Sequence, residues 1–213
     1  TSFYFLMLLD NYIVDPTKYE EECIIGEGNF STVSLVHPKD KEDNKLALKK
    51  IPYDCSDKDA QKFFIREVLI MSELDHPCLI KFFGFSFPTK KDKTFKIYSE
   101  YLPNKTLIQK LKEEDITKQL DATQKTIIVY GIASAMAYLH KKNIVHRDLK
   151  PENVFLNSNF EPILSDFGLS KIMNDELTIT GRLGTPYFMA PELFLDENEY
   201  YKITAKIDVY AFA

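Results

Sequence analysis

The chain has 213 residues, 45% of them hydrophobic, with a formal net charge of -5. That is enough apolar sequence for one large domain or two small lobes, and the acidic balance argues against nucleic-acid binding, which needs a clustered basic face. Cys23, Cys55 and Cys78 are widely spaced and odd in number, with neither metal-ligand spacing nor a disulfide framework, so a reducing cytoplasmic setting is expected. Phe3 to Leu9 is apolar but too short to cross a bilayer, and it lacks the positive flank of a signal peptide. Residues 1–18 therefore read as a leader, a docking segment or the start of a fragment, and the absence of Met at position 1 agrees with a fragment.

In chain order, Tyr19 to Ile25 and Thr32 to His37 read as strands flanking a glycine-bearing turn, and Leu46 to Ile51 as a third strand after a polar turn. Asp57 to Leu74 has helical periodicity. Phe64, Val68, Met71 and Asp75 share one face, Phe63 and Ile70 lie at its edges, and His76-Pro77 stops the helix. Leu79 to Phe87 and Thr94 to Tyr101 read as two more strands around a turn at Pro88–Lys93. The first hundred residues thus read β-β-β-α-β-β. Pro103-Asn104-Lys105 is the linker candidate, dividing residues 19–101 from 102–213.

A short helix is expected from Thr106 to Glu113. A longer one runs to about Lys142, capped by Asp121 or Thr123, with Ile127, Ile128, Ile132, Ala135, Met136 and Leu139 as its buried stripe. Short strands follow at Val154–Leu156 and Pro162–Ser165, then a long irregular segment to Pro191 and a helix from about Thr204.

The most informative stretch runs from Ile144 to Leu156. It places Asp148 two residues after His146 and an amide, Asn153, five residues after Asp148. A second acid follows in Ser165-Asp166-Phe167-Gly168. Two carboxylates and an amide among short apolar runs suit the placing of a hydroxyl beside a metal-bound phosphate. The stretch resembles the catalytic loop of eukaryotic-type protein kinases, H-R-D-L-x-x-x-N followed by D-F-G, without a mismatch. The resemblance covers roughly residues 19 to 213. It implies an α+β, bilobal protein-kinase-like fold: a small β-rich N-lobe with one main helix, and a mainly helical, incomplete C-lobe. The tyrosine-kinase-like group of serine/threonine kinases is one candidate subgroup.

The same resemblance implies a role for each site residue. Asp148 orients the substrate hydroxyl and takes its proton. Lys150 stabilises the transferring phosphate, and Asn153 and Asp166 hold Mg²⁺. Gly26-Glu27-Gly28-Asn29-Phe30-Ser31, followed by Val33, resembles the glycine-rich phosphate loop, with Ser31 in place of the third glycine; taken alone it is also an ordinary hairpin turn. Ile25 and Val33 flank the nucleotide. Lys49, in Ala47-Leu48-Lys49, holds the α- and β-phosphates of ATP and pairs with Glu67, while Lys50 faces the other way. Ala47 covers the adenine, Glu100 and Leu102 bond its edge from the backbone, Ser99 is a small gatekeeper, and Phe155 forms the pocket floor where the family more often has Leu. His146, Phe167, Met71 and Phe82 form an apolar spine. The other three histidines, His37, His76 and His140, read as structural.

Thr185, in the segment Gly184 to Glu192 that resembles the peptide-binding loop and A-P-E motif, is expected to bond Asp148 and Lys150. Lys150 and Thr185 together are the serine/threonine form, so Ser/Thr-bearing proteins are the expected substrates. Thr180, or else Thr178, is a candidate for activating phosphorylation by an upstream activator or by autophosphorylation, with Arg147 as phosphate partner. Glu192 would meet an arginine beyond Ala213, where the family continues with further helices. The alternative is a nucleotide-binding pseudokinase or scaffold fragment, inactive through truncation. A small-molecule phosphotransferase is disfavoured by the peptide-binding loop.

Overall fold

The computed structural model describes residues 9–28, 31–53, 58–104, 106–115, 119–172, 184–194 and 204–213. They fall into two compact units. The first holds the described residues up to Leu74 together with Ile80–Leu102, and the second holds Asp75–Leu79 together with those from Pro103 onward.

The first unit is built on a five-stranded antiparallel sheet in the order β1-β2-β3-β5-β4. Its strands are β1 (Tyr19–Glu27), β2 (Thr32–Pro38), β3 (Leu46–Pro52), β4 (Phe82–Ser86) and β5 (Thr94–Glu100). Strand alternation separates Leu46 and Leu48 from Ala47 and Lys49. On the first face, Val36, Leu46, Leu48 and Tyr98 form a buried cluster, joined by Val14 and Tyr19. Helix α1 (Lys58–Ser72) anchors through Phe64, which stacks on Phe95 at 4.3 Å and meets Phe85 edge-on at 6.0 Å. Phe64, Val68 and Met71 are buried, as the periodicity predicts, and Ile70 is buried with them rather than lying at the edge. Asp75 does not share that face: α1 ends at Ser72 and Asp75 is exposed.

Strand β4 begins at Phe82, three residues later than the apolar run suggests. Leu79 is drawn instead into the second unit, where it bridges Leu164. The residues before it are held there too. The Asp75 N–H donates to the Tyr138 hydroxyl at 3.0 Å, and the Leu164 N–H donates to the Cys78 carbonyl at 2.9 Å. His76 Nδ1 accepts from the Cys78 N–H at 3.1 Å, which leaves Nε2 to carry the ring proton toward Ser134 Oγ at 3.2 Å.

Helices α2 (Leu107–Leu111) and α3 (Ala122–Lys141) both start with reciprocal capping boxes, Thr106 with Gln109 and Asp121 with Gln124. The buried stripe of α3 is Ile128, Gly131, Ile132, Ala135, Met136 and Leu139, a steady three-four spacing. Ile127, expected in that stripe, is 38% exposed. Gly131 takes the place instead, because a Cβ there would sit 2.4 Å from Pro162 Cγ, and the helix packs closely on the hairpin that carries Pro162. That hairpin pairs β7 (Val154–Leu156) with β8 (Pro162–Leu164). Two two-residue strands, β6 (Ile144–Val145) and β9 (Lys171–Ile172), pair across the segment read as irregular. Helix α4 (Lys206–Phe212) follows. Among the described residues, no helix is long and apolar enough to cross a membrane.

Candidate active site

In the first unit the sheet register sets the phosphate-binding candidates. Lys49 sits on β3 between Val33 and Ile97. Its Nζ lies 2.7 Å from Glu67 Oε1, and the Glu67 side chain is almost wholly buried. A buried carboxylate needs such a partner, because unpaired it is costly to desolvate. Lys50, on the opposite face, pairs with Glu21 at 2.7 Å. Gly26 and Gly28 lie at the mouth of the β1–β2 hairpin, which closes with the Gly28 N–H donating to the Ser31 carbonyl at 2.8 Å. A Cβ at Gly26 would meet nothing closer than 3.8 Å, and at Gly28 nothing closer than 3.4 Å. Packing within the sheet therefore does not demand glycine at either position, and the open backbone suits close approach by a phosphate.

Ile25 is exposed beside the hairpin, and Val33 and Ala47 are half-buried. Ser99 stands opposite Ala47 in the β3–β5 ladder. The Glu100 carboxylate accepts from the Lys81 N–H at 2.7 Å, and Leu102 follows shortly after β5. Asn29 and Phe30 lie outside the described residues.

In the second unit a compact cluster surrounds Asp148. Lys150 Nζ is 2.7 Å from Asp148 Oδ2 and donates to Thr185 Oγ1 at 2.8 Å, and the Thr185 hydroxyl donates to Asp148 Oδ1 at 3.0 Å. Asn153 Nδ2 donates to the Asp148 carbonyl at 2.8 Å and to its Oδ2 at 3.0 Å. Each carboxylate oxygen has about two lone pairs, so Oδ1 keeps one for an incoming hydroxyl. Gly184, at φ +123°, makes the cluster's tight entry: a Cβ there would lie 2.9 Å from the Arg147 carbonyl.

The residues offered as metal ligands suit a hard cation. Both donations from the Asn153 amide use its nitrogen, so its Oδ1 is available as a ligand. Asp166 is exposed on left-handed backbone (φ +62°) between buried Ser165 and Phe167. The Ser165 N–H and hydroxyl both donate to the Asn153 carbonyl, at 2.9 and 3.0 Å, which ties the two ligand-bearing segments together. Among the described residues, no group of three or more His, Cys, Asp or Glu side chains is placed to cage a metal. Mg²⁺ needs no such cage, because it takes one or two protein ligands and completes its shell with water and substrate phosphates.

One important residue is not signalled by any motif read from the sequence. Asp208, 1% exposed on α4, accepts from the backbone N–H groups of His146 and Arg147, both at 2.8 Å, and contacts His140 Nε2 at 2.9 Å. Arg147 has φ +68°, a left-handed conformation that costs about 1 kcal/mol or more outside glycine. By holding the N–H groups at and before that strained residue, Asp208 fixes the loop carrying Asp148. The sequence does show an isolated acid in an apolar helix, Ile207-Asp208-Val209, the one available hint. His146 is fully buried; its ring lies 5.3 Å from Phe167, and its Nε2 donates to the Ser165 carbonyl at 3.1 Å. The Arg147 Nε donates to the Leu169 carbonyl. Phe155 is half-buried on β7 and bridges Thr106. Thr178 and Thr180 lie outside the described residues.

The family model described as Protein kinase domain matches residues 19–213. The chain belongs to the protein kinase family. It is similar to a probable myosin light chain kinase of Dictyostelium discoideum, 33% identical over 185 residues, or 86% of this chain and 37% of that protein. It is also similar to the serine/threonine-protein kinase CTR1 of Arabidopsis thaliana, 34% identical over 191 residues (88% and 22%). Cysteine-rich receptor-like protein kinase 27 of the same plant is 35% identical over 194 residues (88% and 28%). The kinase chain thus spans well under half the length of these curated relatives. Its five-stranded antiparallel sheet with one long helix, and its helical second unit, are the two lobes of an incomplete kinase fold.

Proposed function

We propose that this kinase transfers the γ-phosphate of ATP to serine and threonine hydroxyls of proteins. The observation that carries the reading is the Lys150–Thr185–Asp148 triangle, closed at 2.7 to 3.0 Å. It joins the catalytic loop to the peptide-binding loop, so the residues that would meet the phosphate and the acceptor hydroxyl are positioned together. The serine/threonine-protein kinase among the similar proteins supports the same acceptor class.

On this reading each side chain has one task. Lys49 holds α- and β-phosphate oxygens, and Glu67 keeps its ammonium in place. The backbone of Glu100 and Leu102 meets the adenine edge, and Ile25, Val33, Ala47 and Ser99 lie against the ring. Asp148 Oδ1 orients the acceptor hydroxyl and receives its proton as the bond from that oxygen to the γ-phosphorus forms and the bond from the γ-phosphorus to the β-phosphate oxygen breaks, releasing ADP. Lys150 offsets the charge on the moving phosphoryl group, and Thr185 holds Asp148 and Lys150 in register. Asn153 and Asp166 would hold Mg²⁺, which when bound draws negative charge from the phosphate oxygens.

The test is to incubate the full-length protein with γ-labelled ATP, Mg²⁺ and a peptide set matched in serine, threonine and tyrosine acceptors. Label on serine and threonine is expected. Label on tyrosine alone would contradict the acceptor assignment.

A further inference from the structure

Residues 9–18 precede the region matched to the kinase family and take no part in the chemistry above. They are nevertheless built into the first unit. Tyr12 and Val14 are half-buried while Ile13 and Asp15 are exposed, the alternation of a strand laid on a surface. The Val14 N–H donates to the Phe85 carbonyl at 2.8 Å, and Ile13 forms a parallel bridge with the same residue. The Tyr12 ring packs 5.2 Å from Phe82. Gly84 makes the docking groove. A Cβ there would lie 2.4 Å from the Tyr12 carbonyl oxygen and 2.6 Å from Val14 Cγ2, and its φ of +154° is one that side-chain-bearing residues rarely adopt.

Phe85 is therefore gripped from two directions. Its backbone carries the N-terminal segment, and its ring packs edge-on against Phe64 of α1. Phe64 lies three residues before Glu67, about one helical turn, on the same helix. We propose that residues 9–18 are a strap that positions the Lys49–Glu67 pair, acting through β4 and the Phe85–Phe64 contact. Tyr12, Val14 and Gly84 are then positioning residues for the phosphate-binding lysine, a role that rests on the reading of Lys49 given above. Releasing the strap frees β4 to shift, loosens the packing under Phe64, and lets Glu67 swing away from Lys49.

The test uses the full-length protein with Tyr12→Ala, Val14→Asp and both together, and Tyr12→Phe as the conservative partner. Amide exchange without nucleotide is expected to rise about fivefold or more in α1 from Phe64 to Met71, with α3 unchanged. The KM for ATP is expected to rise by a similar factor while the KM for peptide stays put. Tyr12→Phe keeps the ring and should behave as wild type. Combined with Phe64→Leu, the strap variants should add less than their separate factors would multiply to. Unchanged α1 exchange, an equal rise throughout the molecule, or fully multiplicative factors would each overturn the proposal. The single variants keep the test open if the double variant does not fold. Because the exchange measurement contains no nucleotide, it judges the strap even where phosphate transfer fails, a result that would count against the Lys49 reading alone.

Discussion

At the residue scale, the proposed chemistry rests on side chains whose types the motifs specify, and the structure adds their partners. Thr185 exemplifies this: its hydroxyl both accepts from Lys150 and donates to Asp148. Removing a hydrogen bond to a charged group costs about 1.5–3 kcal/mol, so Thr185→Ala should lower kcat roughly tenfold or more, whereas Thr185→Ser should retain most activity. Steady-state peptide turnover distinguishes the two. Tyr98 gives a prediction of another kind. Burial is the main cause that pushes its phenol up to about 12 from an ordinary 10.0. Between those values the unfolded chain has lost a proton that the folded one keeps. Stability therefore falls as pH rises through this window, by up to about 1.4 kcal/mol per pH unit. Tyr98→Phe should flatten that slope in denaturant midpoints measured from about pH 9 upward. His76 should act at the other end: burial lowers its pKa below the ordinary 6.5, so the folded protein resists its protonation and loses stability as pH falls below that value. Motif reading singles out Asp148, Asn153, Lys49 and Glu67 because their side chains are recognised by type and spacing. It missed Asp208 because that carboxylate serves two backbone N–H groups more than sixty residues away, and such partners leave no trace in side-chain type.

At the element scale, alternation marks the start of β3, and three-four patterns mark α1 and α3, because each buries one face there. The same signal fails where burial has another cause. β6 and β9 are two residues long, too short to show a period. Leu79 looks like strand sequence yet bridges Leu164, and Ile127 yields its place to a glycine chosen for close approach. The capping of α3 was narrowed in sequence to Asp121 or Thr123, and Asp121 holds it, with Gln124 returning the bond. Asp121→Ala should lower stability by about 1 kcal/mol, read from the denaturant midpoint, with kcat unchanged because the cap lies far along α3 from Asp148. Gly131→Ala should destabilise more, because the new methyl meets the Pro162 ring rather than a flexible chain end.

At the scale of the whole molecule, the two compact units divide the chain differently from a single cut at the linker: Asp75–Leu79 belong with the second unit although they follow α1. Sequence order shows where elements lie but not which neighbour a connecting segment adopts, because that depends on bonds such as Asp75 to Tyr138. The α+β character and the kinase family were legible from the motifs alone, since the catalytic loop and D-F-G strings specify chemistry that few folds combine. On the function proposed above, the cluster around Asp148 transfers phosphate from ATP to a hydroxyl. The most direct measurement compares wild type with Asp148→Asn in the full-length protein, following single-turnover transfer from γ-labelled ATP·Mg²⁺ to a serine peptide alongside nucleotide affinity. Transfer by the variant is expected to be about 10²-fold slower or more, with ATP affinity nearly unchanged. Equal transfer by the two proteins, with ATP bound to both, would contradict it.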